Sequence, residues 1–484
     1  MKRNLLLVSA SVLAFSATAA MADSNTVYLN QYDSSQDATI TQTGDDNSVG
    51  AYNNNTGFDQ GNGQSGGTGD NKLAITQTGN GNSVGKDKKG FQSGSTNSAA
   101  ITQQGNNSDV ELQQVGTNNG NVPFGSVWTN SQSTNVILQD TTSNRSKVDL
   151  GQNGNGNSFD IGQGGSRNRT TAFQSGNNGQ LFVRQATTVT SDIIALESAG
   201  GGSNNTIDVS QTMTSNNWNY MALAQGRGSF NSINASQTGG NLGLDVNQKG
   251  NANRFTSVQT GSWNLAGLTT GAGLDTPIVQ DGSANSYNNN QSGSRNLANG
   301  TQTGSFNSVT NNQSDTNNTL YGTQRGAGNR VDTSQSHNGN SLTYNQDGQS
   351  SFGGWNYIYS SQYGDTARAT INQSGSFNVA YNYQGSDAAV LTANSTGFGN
   401  YLYNSQSGGA TATVTQNGTW NSSTGTQSGG TGNTATIDQS NVGNQSTYVQ
   451  TGSTNVLTVT QTNNANLSNV NQNGSGNIAT ITQH

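Results

Sequence analysis

Polar and apolar residues alternate along this chain in a fixed order, most cleanly between Gln280 and Gln346. Gln280, Gln291, Gln302, Gln313, Gln324, Gln335 and Gln346 follow one another at intervals of eleven residues. Two residues after most of them comes a glycine: Gly282, Gly293, Gly304, Gly326 and Gly348. Five residues after the first six come Asn285, Asn296, Asn307, Asn318, Asn329 and Asn340. Two places further sits Tyr287, Ala298, Val309, Leu320, Val331 or Leu342. A fixed period of this kind is the signature of a stacked repeat.

Within a unit the marked positions are Asn, Asn+2, Asn+4 and the Gln at Asn+6. Even spacing places all four on one face of a β-strand. Asn477, Ala479, Ile481 and Gln483 show this cleanly, as do Asn97, Ala99, Ile101 and Gln103. The glycine after each glutamine marks a turn. An odd period would flip the faces of a continuous strand, so the turn must reset the phase in every unit. The pattern predicts an all-β fold, a two-sided parallel β-solenoid (β-helix) of roughly forty eleven-residue strand–turn units. Alternate units lie above one another, with Gln280, Gln302 and Gln324 in one ladder and Gln291, Gln313 and Gln335 in the facing one. Stacked amides donate to one layer and accept from the other, which makes buried Asn and Gln tolerable. At a layer spacing of about 4.7–4.8 Å, some twenty coils make a rod on the order of 90–100 Å long.

The repeats run through most of the chain. Residues 1–22 form the exception at the start. Lys2 and Arg3 precede an apolar run from Leu5 to Phe15 and then Ala20-Met21-Ala22, the layout of a secretory signal with cleavage before Asp23. The run is too short to span a bilayer. Residues 23–484 carry the repeat, with loop insertions expected near 118–130 and 186–204. A unit begins close to Asp23 and another ends at Gln483, so no capping segment is evident at either end. Open strand edges on a β-rod are templates for another chain. Asn477, Ala479, Ile481 and Gln483 are therefore the candidate docking edge, and end-to-end polymerisation is expected.

Composition narrows the choice. The chain is 29% hydrophobic and 9% charged, with 65 glycines, two prolines and no cysteine. Low charge with abundant Asn, Gln, Ser and Gly marks the β-assembling kind of low complexity. No disulfide can staple the exported chain, so stability must come from backbone pairing and stacking. A net charge of -7 with scattered Lys and Arg argues against nucleic acid. His337 replaces a turn glycine and His484 ends the chain, so neither suggests a metal pair, and no cofactor is implied. The segment Gly66–Asp70 bears a faint likeness to calcium-binding β-roll repeats but occurs once. The acidic residues fall mostly in turns, as solubilising gatekeepers do. An enzyme on a β-helix would need Asp, Lys or Arg clustered on one face, and none is visible. Trp263, Trp355 and Trp420 are read as turn residues packed beside glycine, with an adhesive or dye-binding surface as the alternative.

The stretch Gln92-Ser-Gly94-Ser-Thr-Asn97-Ser-Ala99-Ala-Ile101-Thr-Gln103 resembles the curlin repeat of curli fibre subunits. Gln472-Asn-Gly474-Ser-Gly-Asn477-Ile-Ala479-Thr-Ile481-Thr-Gln483 matches equally well, and the likeness covers nearly all of residues 23–484. The resemblance implies an extracellular functional amyloid of biofilm matrix, cell aggregation and surface adhesion, and no enzyme. It implies self-association, a nucleator subunit, an outer-membrane export channel, and contact with surfaces or matrix polymers. The chain departs from the family in having several times as many repeats and no evident glycine-rich leader after Asp23. The competing reading is a monomeric secreted β-solenoid adhesin whose insertions contact a ligand.

Overall fold

The computed structural model describes residues 24–484 apart from 34, 51–56, 62–69, 87–88, 118–135, 140–145, 156, 166, 188–190, 198–202, 213–218, 227, 268–276 and 349–353. The signal segment and the expected loop at 118–130 lie outside the described residues. Among those described, all regular structure is β-strand.

Successive strands alternate between two parallel sheets. In the first sheet Ile278–Ser283, Leu297–Ser305, Thr319–Ala327 and Ser341–Asp347 pair in that order. In the second, Ser286–Gln291, Ser308–Gln313, Arg330–Gln335 and Tyr357–Gln362 do the same. Each strand pairs with the one a full turn away, so the chain is a two-sided β-solenoid. Register keeps like on like. Gln280 lies beside Gln302, Gln324 and Gln346 in one sheet, and Gln291 beside Gln313, Gln335 and Gln362 in the other.

The even-spaced positions face the space between the sheets, where Val309, Leu320, Val331 and Leu342 are fully buried. The turn resets the strand phase through two left-handed residues. Gly282, Gly304 and Gly326 have φ of 129°, 109° and 89°, and the residue before each asparagine is left-handed too, as at Ala284, Arg295 and Phe306. The glycine is required by more than its φ. A Cβ on Gly304 would lie 2.1 Å from the Gly326 carbonyl oxygen of the turn above.

Two expectations are corrected. The solenoid has about 17 turns, fewer than the twenty coils or forty units inferred from the repeat. At the sheet spacing this gives a rod of roughly 80 Å. The deficit arises because several turns carry extra chain. A plain step in a glutamine column spans 22 residues, but Gln42 to Gln77 takes 35 and Gln114 to Gln152 takes 38. These insertions leave the stacking register intact. Second, the segment 186–204 is not simply a loop. Ser191–Glu197 is a strand of the first sheet, in register with Asn168–Asn177 on one side and Asn219–Gln225 on the other. Its neighbours impose the register although no asparagine leads it.

The Asn+4 position, weakly apolar in the central block, proves to be complementary across the core. Ser257, Asn289 and Asn311 form a hydrogen-bonded inner column in the second sheet, with Asn311 Nδ2 donating to Asn289 Oδ1 at 2.8 Å and Asn289 Nδ2 to Ser257 Oγ at 3.1 Å. Large and small residues interlock beside it, with Tyr287 against Gly300 and Tyr344 against Gly322.

Candidate functional site

The two glutamine columns are the most continuous feature of the molecule. In the second sheet an unbroken chain of side-chain amides runs from Gln42 to Gln472. Its central steps are Gln291 Nε2 to Gln313 Oε1 at 2.9 Å, Gln313 to Gln335 at 2.8 Å and Gln335 to Gln362 at 2.7 Å. In the first sheet Gln280 donates to Gln302, Gln302 to Gln324 and Gln324 to Gln346, each at 2.9 Å. The direction never reverses along either column: wherever two glutamines adjoin, the Nε2 of one serves the Oε1 one turn nearer the C-terminus. The second amide hydrogen crosses the core to a backbone carbonyl of the facing sheet. Gln313 Nε2 reaches Leu297 O at 3.1 Å, and Gln324 Nε2 reaches Ser308 O at 3.0 Å. Burying an unmet amide is costly, whereas this arrangement uses both hydrogens of each.

The asparagines clamp the turns. Asn285 Oδ1 accepts the backbone N–H of Asn307, and Asn307 Oδ1 that of Asn329. Asn296, Asn318 and Asn340 are linked in the same way in the other sheet. Asn307 Nδ2 donates to Thr303 O four residues back and to Gly326 O in the next turn, at 3.3 and 3.0 Å. One side chain thus ties its own turn to the next layer, and its backbone N–H ties it to the layer before. Three successive turns replace this asparagine by Ala367, Ala389 and Ala410, and the first two of these share one arrangement. There aspartates act as caps: Asp365 Oδ1 accepts from Asn338 N, and Asp387 Oδ1 from Asp365 N. Sequence reading treated these acids only as solubilising, but their place two residues before the missing asparagine was the available signal. His337 is left-handed at φ 66°, and its N–H donates to Asp315 Oδ2 at 2.8 Å.

The family model described as the curlin associated repeat matches residues 91–116 and 410–440. The chain carries the curlin associated repeat at these two places. The first match includes Ser98–Gln103 and the second Ser422–Ser428, both strands of the second sheet, together with their neighbours in the first. No curated protein matches the chain. Each curlin repeat is thus one strand with its turn, and two complete one layer of the rod.

The last strand of the first sheet supplies the candidate edge. Asn477, Ala479, Ile481 and Gln483 belong to Ile478–Gln483, which pairs with Val456–Gln461 in the first sheet and, among the described residues, has no strand on its other side. Ile478 is 78% exposed, whereas Ala479 and Ile481 are partly buried against the core. Gln483 Oε1 accepts from Gln461 at 2.8 Å, and Gln483 Nε2 donates to Leu467 O at 2.9 Å.

Among the described residues, ionisable groups inside the stack are few. Tyr287, Tyr344 and Tyr448 lie wholly in the core, and burial holds their phenols well above the ordinary value. On the outer face Asp160 and Asp208 are raised by burial and held back by Arg184.

Proposed function

We propose that this chain is a structural subunit of extracellular curli-like amyloid fibres, serving biofilm matrix, cell aggregation and adhesion. The observation carrying this reading is the pair of directed amide columns leading to an open terminal rung. Across a junction between molecules the same direction would set Gln483 Nε2 of one copy toward Gln31 Oε1 of the next. The matching of identical residues in register throughout the rod favours a second copy of the chain as the occupant of that edge. Passage through the periplasm, an outer-membrane export channel and a nucleating subunit follow from the curlin repeat by analogy.

The test uses purified chain from Asp23 onward. Growth with a lag abolished by preformed seeds, together with a meridional spacing of about 4.7–4.8 Å, is the expected result. A monodisperse rod that persists at high concentration and ignores seeds would overturn the proposal in favour of a solitary surface-binding solenoid.

A further inference from the structure

One margin of the rod is aromatic, and the fold does not need it to be. Along the turns that lead from the first sheet to the second, Trp355, Phe377, Phe398 and Trp420 follow one another on neighbouring layers. They remain 64%, 46%, 40% and 60% exposed. Phe377 and Trp420 hold left-handed backbone, φ 59° and 58°, at a place occupied in other turns by residues as different as Ala284, Gly328 and Phe306. A bulky residue there is disfavoured, and little burial offsets it.

The rings are nonetheless fixed. Phe377 and Phe398 lie 5.1 Å apart between centroids, and Phe398 meets Trp420 edge-on at 5.3 Å. Trp420 lies over Gly399, where a Cβ would come within 2.7 Å of the indole, and Trp355 similarly covers Gly328.

The row continues onto the outer face of the second sheet. The first three of these turns enter the strands Tyr357–Gln362, Val379–Gln384 and Tyr401–Gln406, which point tyrosines outward, and the Trp420 turn enters Ser422–Ser428. Tyr359, Tyr381 and Tyr403 occupy one column by register. Tyr383 packs between Tyr359 and Tyr403, at 5.5 and 5.7 Å. No charged residue occurs in these three strands or in the turn residues Ser374–Phe377, Thr396–Gly399 and Asn417–Trp420. The nearest cation, Arg330, is bound to Asp332 at 2.8 Å at the margin of the array.

We propose that this margin and face bind a neutral, unbranched polysaccharide. A sugar ring offers an apolar C–H face for stacking on an aromatic ring and a rim of hydroxyls for tyrosine, serine and threonine. The layered rings present such platforms at regular steps along the rod, a geometry suited to a linear polymer. They are held in place before binding, which lowers the ordering cost. Nucleic acid would require cations along the row, and an anionic membrane would require Lys or Arg beside the aromatics. Neither is present.

The full chain is titrated with soluble hydroxyethylcellulose, with alginate, and with vesicles of phosphatidylcholine and phosphatidylglycerol, using tryptophan fluorescence and affinity electrophoresis. The expected result is binding to the neutral glucan and weak or no binding to the others. The double variant Trp355→Ala/Trp420→Ala should lose about tenfold or more in affinity. Trp263→Ala, an exposed turn tryptophan on the opposite margin, should leave it unchanged. Thermal unfolding and seeded fibre growth of each variant separate loss of the surface from loss of fold or assembly. A second variant, Tyr381→Ser/Tyr403→Ser, should weaken binding while leaving the turns untouched. Failure of the parent chain to bind the glucan, equal binding by the variants, or preference for vesicles or alginate would overturn the proposal.

Discussion

The ring of Tyr344 fills the space that a side chain on Gly322 would need, for a Cβ built there would sit 2.1 Å from the ring carbons. The two residues are register partners on adjacent layers. Gly322→Ala should therefore destabilise the rod by about 1–3 kcal/mol through overpacking. In a double-mutant cycle with Tyr344→Leu the penalty should shrink, since the smaller side chain vacates the clash. Urea denaturation midpoints measure both, and a full penalty in the leucine background would refute the pairing.

The first-sheet glutamine column is interrupted at two positions, Glu197 and Ser395. Ser395 takes a glutamine position, and its Oγ reaches Gln416 Oε1 at 3.2 Å. Gln373 Nε2, one layer before, donates to Tyr357 O at 3.2 Å and has no column partner ahead of it among the described residues. Restoring the amide with Ser395→Gln should add about 1 kcal/mol. Gln313→Ala should instead cost about 2–4 kcal/mol, because it strands the Gln291 donor, the Gln335 acceptor and the Leu297 carbonyl in the core. Equal midpoints for both variants and the parent would show that the columns contribute nothing to stability.

Alkaline pH should act through the buried phenols. Burial raises Tyr287, Tyr344 and Tyr448 above the ordinary value of 10.0, and their hydroxyls have no hydrogen-bond partner. The folded chain keeps these protons while the unfolded chain sheds them. Their contribution is therefore intact below about pH 10 and is lost progressively as pH rises above it. Replacing all three by Phe should flatten this decline without loss of stability at neutral pH. Ultraviolet difference absorbance of the folded protein provides the check: if all fifteen tyrosines ionise together near pH 10, the effect is absent.

Much of this architecture was legible because stacking repeats the same residue at the same height. Gln, Asn and Gly mark strand end, strand start and turn, and their spacing alone predicts that Gln280, Gln302 and Gln324 share a column. Relations across the core were not legible. No spacing along the chain indicates that Gln313 spends its second hydrogen on the Leu297 carbonyl, or that Tyr287 faces Gly300. Ser191–Glu197 escaped because the strands on either side set its register, in place of its own asparagine. The number of turns was overestimated for a related reason: chain that leaves and re-enters a turn alters the count of residues without altering the column. The tryptophans at 355 and 420 do pack beside glycine, as the sequence suggested, yet they stay open to solvent.

The terminal rung can be blocked without touching its internal bonds. Val456 N–H donates to the Asn477 carbonyl and Thr462 N–H to the Gln483 carbonyl, at 2.8 and 3.0 Å. Neighbouring residues of a parallel strand face opposite sides, so Thr480 directs its N–H away from Val456–Gln461. Thr480→Pro should leave the unfolding midpoint of the monomer nearly unchanged and stop fibre elongation at this end. It separates docking from stability better than alanine at Gln461, Gln472 and Gln483, because the first two are buried. Seeded growth at the parental rate would show that another surface carries assembly.

The one-way run of the glutamine amides has an electrical consequence. Backbone peptides in each layer alternate in direction and largely cancel, whereas the amide dipoles of both columns add along the rod in a dry, weakly polarisable interior. The two ends of the molecule are therefore inequivalent in potential, positive toward Gln483 and negative toward Gln31. An approaching copy would be oriented by that field before any strand pairs.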